Sequence, residues 1–207
     1  AHYDCAPGTP GADDNASGAA ALLELARRFR GRSGAVELRF VAFSTEEPPF
    51  FGSEQMGSAH YAAALAREGR KGAGMLSLEM LGYYSDEPGS QNYPPVLSLF
   101  YPSRGNYLGL VSNLASRGFL GRIRDGWKAP GGLPVVASAL PEWLRVITLS
   151  DHLWFWGRGW PAVMVTDTAF LRNPHYHEAT DLPDQLDYAR LADAVDGLEA
   201  AIYAFVR

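Results

Sequence analysis

The chain has 207 residues, of which 47% are hydrophobic and 20% charged, enough for one globular domain with a sizeable core. The formal net charge of −5 and the absence of a basic run argue against a nucleic-acid partner, and no apolar stretch is long enough to span a membrane. The only cysteine, Cys5, excludes an internal disulfide framework.

The first half of the chain predicts helices and strands in alternation. Alanines and leucines, a cap at Asn15 or Ser17 and a stop at Gly31 favour the first helix. The run "AVELRFVAFS" ends in the continuous apolar pattern of a buried parallel strand. In chain order the predicted elements are helix 13–31, strand 35–44, helix 53–69, strand 73–84, strand 94–102 and helix 106–118.

The second half continues this alternation. Residues 120–147 are rich in Gly, Pro and Trp and predict an irregular section with a short strand around 135–139. A short helix over 150–160, a strand over 161–169 and a long helix over 186–207 follow. Together the elements predict an α/β fold, a three-layer αβα sandwich around a mixed, mainly parallel sheet.

Acidic residues and histidines concentrate where the predicted strands end. In an open α/β sheet, ligands bind beyond the carboxyl ends of the strands. Imidazoles and carboxylates without thiolates suit a catalytic zinc site, and a glutamate inside "MLSLEMLGYY" is costly to bury unless a cation compensates it. The residues at these positions are His2, Asp4, Asp13, Asp14, Glu46, Glu47, Glu79, Asp151, His152, Asp167, His175 and His177.

The adjacent acids Glu46 and Glu47 fit a hydrolase with two metal ions. Such a site needs a bridging ligand, terminal ligands on each metal and a free carboxylate that takes a proton from the bridging water. One glutamate of the pair can hold a metal while its neighbour acts as the general base. The alternative is that the pair is a solvated turn and that each histidine is structural.

Four blocks carry a resemblance: "AHYDCAPGTPGADDNASGAAALLELAR", "FVAFSTEEPPFFGSEQMGSAHYA", "SLEMLGYYS" and "SDHLWFWGRGWPAVMVTDTAFLRNPHYHEATDLPDQLDY". In this order they resemble the core blocks of the zinc aminopeptidases of metallopeptidase family twenty-eight. That family also holds glutamate carboxypeptidases, and the glutaminyl cyclases are close relatives. The resemblance implies a zinc-exopeptidase-like fold and a metallopeptidase that uses two Zn²⁺ ions on a peptide or amino-acid derivative.

The resemblance also implies roles for individual residues. Glu46 matches the general base, and Tyr176 stands where some members carry a tyrosine that steadies the oxyanion. Asp4 matches the acid that orients the His2 imidazole. The implied metal ligands are His2, the bridging Asp14, Glu47, Glu79 and His177.

Two positions depart from the family pattern. Aspartate is usual where this chain has Glu79, which leaves open whether the enzyme removes residues from the amino or the carboxyl end. A strand that the family has before His2 is missing, so we expect a chain truncated at its N-terminus. The resemblance favours a periplasmic or secreted location.

Other interpretations stay open at this point. A glutaminyl cyclase-like acyltransferase would use one zinc ion, and a catalytically dead peptidase-like domain would only bind. Within the single domain 1–207, residues 87–147 form a variable insert that carries no motif of the family. Within this insert, the segments 93–107 and 125–134 can line a specificity pocket or be ordinary loop packing.

Overall fold

The computed structural model describes residues 1–32, 34–93 and 97–207. The strands of its central sheet are β1 (Met75–Glu79), β2 (Leu108–Asn113), β3 (Val135–Leu140) and β4 (Ala162–Thr166). They lie in the order β1-β4-β2-β3. β1 and β4 are parallel, as are β2 and β3, whereas β2 and β4 are antiparallel, so the sheet is mixed and mainly parallel as predicted.

Helices cover both faces of the sheet. The helices are α1 (Gly18–Phe29), α2 (Gly57–Arg67), α3 (Arg117–Gly126), α4 (Leu153–Trp156) and α5 (Tyr188–Val206). α1, α3 and α5 pack together and share a core with Leu78, Leu110 and Val165. α2 and α4 contact each other over the opposite face. Because successive side chains of a strand point to opposite faces, each strand contributes to both cores, and the predicted αβα sandwich is confirmed.

The central position of β4 explains its composition. All five side chains of "AVMVT" are buried between neighbouring strands and both helical layers, which favours a continuous apolar run over an alternating one. The closing helix α5 begins at a defined cap, since the Asp187 carboxylate accepts a hydrogen bond of 3.0 Å from the Arg190 backbone N–H. None of the described helices has the length and hydrophobicity needed to cross a membrane.

The predicted strand over 35–44 is wrong. The one β-bridge described for this segment pairs Phe43 with His2, and a cavity of about 470 Å³ lies between the segment and β1. A strand needs a neighbour along its length to satisfy its backbone N–H and C=O groups. In the described ranges, only residues 1–3 supply β-type hydrogen bonds here, at Phe43.

Two further predictions fail around the insert. For the predicted strand 94–102, residues 94–96 lie outside the described residues, and Leu97–Leu99 form a 3₁₀ turn. The predicted helix over 106–118 contains β2 instead, and α3 begins only at Arg117. β2 lies between β3 and β4 and is buried on both faces, which accounts for its leucines. A short apolar run of this kind occurs both in buried strands and in buried helices, so the pattern alone does not distinguish them.

Gly197 allows α5 to approach the Trp127 ring. A Cβ atom at Gly197 would overlap that ring, whereas a Cβ atom at Gly121 in α3 meets nothing within 4 Å. We expect Gly197→Ala to lower the free energy of unfolding by about 1–3 kcal/mol through overpacking. The matched variant Gly121→Ala should raise it by about 0.5–1 kcal/mol. Urea denaturation measures both, and equal effects of the two variants would contradict this packing.

His152 makes stability depend on pH. Its Nε2 donates to the Ile147 carbonyl at 2.8 Å, and burial lowers the pKa of His152 to about 4. The unfolded chain takes up a proton on this histidine near pH 6.5. Above that pH the free energy of unfolding is therefore not reduced by this protonation. This free energy falls by roughly 3 kcal/mol as the pH drops towards 4. His152→Gln should flatten this slope, and the exposed control His60→Gln should leave it unchanged in urea denaturation at several pH values.

Candidate metal centre

Left-handed backbone conformations occur beside or at the predicted ligands and accompany their approach to one another. Thr45, Met80 and His177 have φ values of 56°, 53° and 58°, which non-glycine residues adopt only where the surroundings fix them. The turn at Thr45 lets the two following side chains reach the same interior. Glu46 and Glu47 are only 6% and 4% exposed, so the alternative of a solvated turn is wrong.

The imidazole of His2 lies between carboxylates. Its Nε2 is 3.2 Å from Glu79 Oε1 and 3.5 Å from Asp14 Oδ1. Its Nδ1 lies 3.0 Å from the Asp4 backbone carbonyl and 3.5 Å from the Asp4 carboxylate. The second oxygen of Glu79 accepts a hydrogen bond of 2.6 Å from the Ser150 hydroxyl. Asp4 therefore fixes the His2 ring through Nδ1, while Nε2 faces the carboxylates of Glu79 and Asp14.

A second imidazole faces the other side of Asp14. His177 Nε2 lies 3.1 Å from Asp14 Oδ2 and 3.2 Å from Glu47 Oε2. Asp14 thus directs one oxygen at each histidine, which is the arrangement of a bridging carboxylate. The structure brings together all five predicted ligands, His2, Asp14, Glu47, Glu79 and His177.

The spacing of these donor atoms suits zinc. Two ligand atoms about 2.0–2.1 Å from a tetrahedral zinc ion lie about 3.3 Å apart, and the four contacts made by the two histidines span 3.1–3.5 Å. Glu47 Oε1 and His177 Nε2 are buried and make no hydrogen bond with any described residue. Buried polar atoms normally have a partner, so these residues fit a metal.

The electrostatics of the cluster point the same way. Burial opposes ionisation of Asp14, but its contacts with His177 and His2 lower the pKa of Asp14 below its usual value. Burial, followed by the charge of Asp14, raises the pKa of Glu47 to about 7. Burial, followed by the charge of Glu79, raises the pKa of Glu46 well above its usual value. Protein groups alone leave an excess of buried carboxylate that a cation would compensate.

Glu46 and Glu47 differ in their surroundings. Glu47 contacts His177, and its backbone N–H donates to Asp4 Oδ2 at 3.2 Å. Glu46 approaches His2 Nε2 at 3.8 Å. It also belongs with His2 and Glu79 to one of two groups whose ligand atoms lie within 4.8 Å of one another. Glu47 is thus the better placed of the two to serve as a ligand next to His177.

Tyr176 is oriented by stacking. Its ring lies parallel to the His177 ring at 3.9 Å between centroids and 5.7 Å from the ring of Phe170. Burial, with the charge of Asp14 as the next cause, raises the pKa of Tyr176 above its usual value. The phenol therefore stays protonated at neutral pH and can donate a hydrogen bond.

Supporting residues link the loops of the site, and sequence reasoning missed Asn173 among them. Asp181 accepts hydrogen bonds from the backbone N–H groups of Asp13 and Asp14 at 2.9 and 3.1 Å. The buried Asp13 carboxylate accepts from Gly82 N–H at 2.9 Å and from the Asn173 amide at 2.7 Å. Asn173 lies in "RNPHYH", where an amide gives no signal of this contact.

An apolar cavity of about 100 Å³ adjoins Glu79. Of the two segments predicted to line a specificity pocket, 93–107 contributes Tyr93, Leu97, Tyr101 and Tyr107. No described residue of 125–134 lines this cavity, and that segment instead packs Trp127 against Gly197.

Comparison with known proteins gives relatives of both known and unknown activity. The Escherichia coli K12 protein YfbL, named as uncharacterized, is 42% identical over 98% of this chain and 65% of its own length. The structure of BSAP, a zinc aminopeptidase from Bacillus subtilis, superimposes with a TM-score of 0.74 at 26% identity, over 100% of this chain and 45% of that one.

A third comparison concerns the fold alone. Porphyromonas gingivalis glutaminyl cyclase superimposes with a TM-score of 0.64 at 19% identity, over 99% of this chain and 70% of its own. The chain thus spans about two thirds or less of YfbL and of BSAP.

The family assignment rests on a direct match. The model of Peptidase family M28 matches residues 1–108, the half of the chain that carries four of the five clustered ligands. With the αβα fold and the zinc aminopeptidase neighbour, this match shows that the chain belongs to Peptidase family M28.

Proposed function

We propose that the chain carries the catalytic centre of a zinc-dependent exopeptidase, most simply an aminopeptidase. The observation that carries the proposal is Asp14, with one carboxylate oxygen directed at each of two imidazoles. This arrangement supports two metal ions that share Asp14. The likeness to BSAP, a zinc aminopeptidase, supports the choice of metal and reaction.

The donor atoms divide into two sets around Asp14. His2 and Glu79 would hold one zinc ion with Asp14, and Glu47 and His177 would hold the other. Asp4 would keep the His2 ring in place, since both its carbonyl and its carboxylate lie beside Nδ1. When bound, zinc would polarise the scissile carbonyl and lower the pKa of a coordinated water.

Glu46 is the proposed general base. It is buried, and burial followed by the charge of Glu79 raises its pKa well above its usual value, the direction that suits a carboxylate that accepts a proton. Glu46 would take a proton from the attacking water and deliver it to the leaving amine. Tyr176, neutral and fixed against His177, would donate a hydrogen bond to the developing oxyanion.

Zinc content separates the dizinc hydrolase from a cyclase-like centre with one ion. We expect two zinc ions per chain after zinc loading and dialysis, measured by elemental analysis. His177→Ala should lower the value to about one, because it removes a ligand from one set only. The exposed control His60→Ala should keep two. One ion in the unmodified protein would favour the cyclase-like alternative.

Glu46→Gln tests the general base. The variant should keep two zinc ions, while turnover of amino-acid p-nitroanilides falls by roughly 10²–10⁴-fold because proton transfer is lost. The control is Glu54→Gln, which changes an exposed glutamate in the same segment. Near-normal turnover by Glu46→Gln would assign the base elsewhere. No hydrolysis of p-nitroanilides or blocked peptides by the zinc-loaded unmodified chain would favour a domain that only binds.

A further inference from the structure

The loop that follows the adjacent acids closes on itself at its base. We call residues 46–56 the glutamate loop, because Glu46 and Glu47 begin it. The Gly57 N–H donates to the Ser44 carbonyl at 2.9 Å, so the chain returns to the point at which it left. Compact surface loops with close ends are packed by their own side chains. The directions of Glu46 and Glu47 therefore depend on what holds this loop in place.

Met56 is the most deeply buried residue of the stretch that follows Glu47. Residues 48–55 are exposed or half-buried, whereas Met56 is fully buried. Its Sδ accepts a hydrogen bond from the Gly52 backbone N–H at 3.1 Å and another from Trp154 Nε1–H at 3.2 Å. A thioether is a weak acceptor and has no hydrogen to donate. Two N–H groups directed at one sulfur atom are therefore a specific feature of this loop.

Trp154 joins the glutamate loop to the segment that supports Glu79. It lies in α4, and Ser150, four residues before it, donates its hydroxyl hydrogen to Glu79 at 2.6 Å. Among the described residues, no hydrogen bond other than the one to Met56 joins the glutamate loop to residues 150–156. One sulfur atom thus connects two parts of the chain that both contribute to the candidate metal centre.

Packing alone would not require a sulfur atom at this position. Methionine often fills irregular gaps in a core, and leucine replaces it with little change in volume. Leucine offers no acceptor, however, and no described residue other than Met56 accepts from the Gly52 N–H or from Trp154 Nε1–H. Replacing the sulfur by carbon would leave both donors without a protein partner, which favours a rearranged loop.

We propose that Met56 is a positioning residue, whose sulfur holds the glutamate loop on α4 so that Glu46 and Glu47 face the metal centre. Met56 is not one of the five clustered ligands, and it acts through the two acids. The inference rests on the proposed function, in which Glu46 is the general base and Glu47 is a ligand. A shift of about 1 Å in either carboxylate is sufficient to lower turnover by about 100-fold.

Hydrogen exchange of the Trp154 indole N–H tests the bond itself, without substrate. In NMR spectra of the labelled protein, loss of one indole signal in Trp154→Phe identifies this group. We expect it to exchange with solvent about tenfold faster in Met56→Leu, because its acceptor is removed. The control is Met75→Leu, the same substitution at the start of β1, since the hydrogen bonds to methionine sulfur among the described residues are those of Met56. An unchanged exchange rate in Met56→Leu would overturn the proposal.

Turnover and zinc affinity separate positioning from structural support. With zinc-loaded protein and amino-acid p-nitroanilides, Met56→Leu should lower kcat by about 10–100-fold and leave KM nearly unchanged, because the general base is displaced. Its zinc affinity should fall by about tenfold, because Glu47 is displaced with it. Met75→Leu should keep all three values. Equal losses in the two leucine variants, or a normal kcat in folded Met56→Leu, would contradict the positioning role.

Trp154→Phe reaches the same bond from its other side, since it removes the donor and retains the sulfur. Its kcat should fall as well, and the double variant with Met56→Leu should lose no more than the more impaired single variant. Losses that multiply would mean that the two side chains act separately, and the proposal would be wrong. If Met56→Leu does not fold, a normal kcat in folded Trp154→Phe has the same consequence.

These measurements distinguish the inference from the proposed function. If the unmodified protein hydrolyses no substrate, the proposed function fails, and faster indole exchange with weaker zinc binding in Met56→Leu alone would still support the positioning role. If folded Met56→Leu hydrolyses substrates at the rate of the unmodified protein, the proposed function stands and the positioning role is wrong.

Discussion

The structure depends on the burial of more carboxylates than its own cations can neutralise. Asp14, Glu46, Glu47 and Glu79 meet in one interior with two imidazoles. Burying carboxylates that like charges surround is unfavourable unless a counter-charge is present. The left-handed conformations at Thr45, Met80 and His177 accompany this convergence of acidic side chains. The fold around them is an αβα sandwich that fixes where those strand ends lie.

More of the candidate site than of the fold could be predicted from the sequence. The predicted ligands meet because their spacing places each at a strand end or in a loop at the same edge of the sheet, and the family resemblance identified them. The segment 106–118, predicted as a helix, contains β2. A strand buried between two others and a buried helix both favour leucine, so the sequence did not distinguish them. The segment 35–44 has the composition of a strand, but composition does not show whether a neighbouring strand is present to pair with it.

The contacts that sequence reasoning missed are those between distant parts of the chain. Asp13 and Asn173 are 160 residues apart and form a hydrogen bond. Neither residue type indicates in the sequence which partner it will contact. The cavity beside Glu79 is similar, because it arises from the order of strands in the sheet. A glycine in "YLGLV" gives no signal in the sequence that it lines this cavity.

Asp181 has a consequence for how ions would enter the centre. Its carboxylate holds the backbone of Asp14, and it lies four residues beyond His177 in the same loop. An ion that orders this loop would therefore also order the carboxylate that faces His2. Thermodynamic linkage requires the reverse effect to be equal in size. Under the proposed function, occupation of either position would therefore favour occupation of the other.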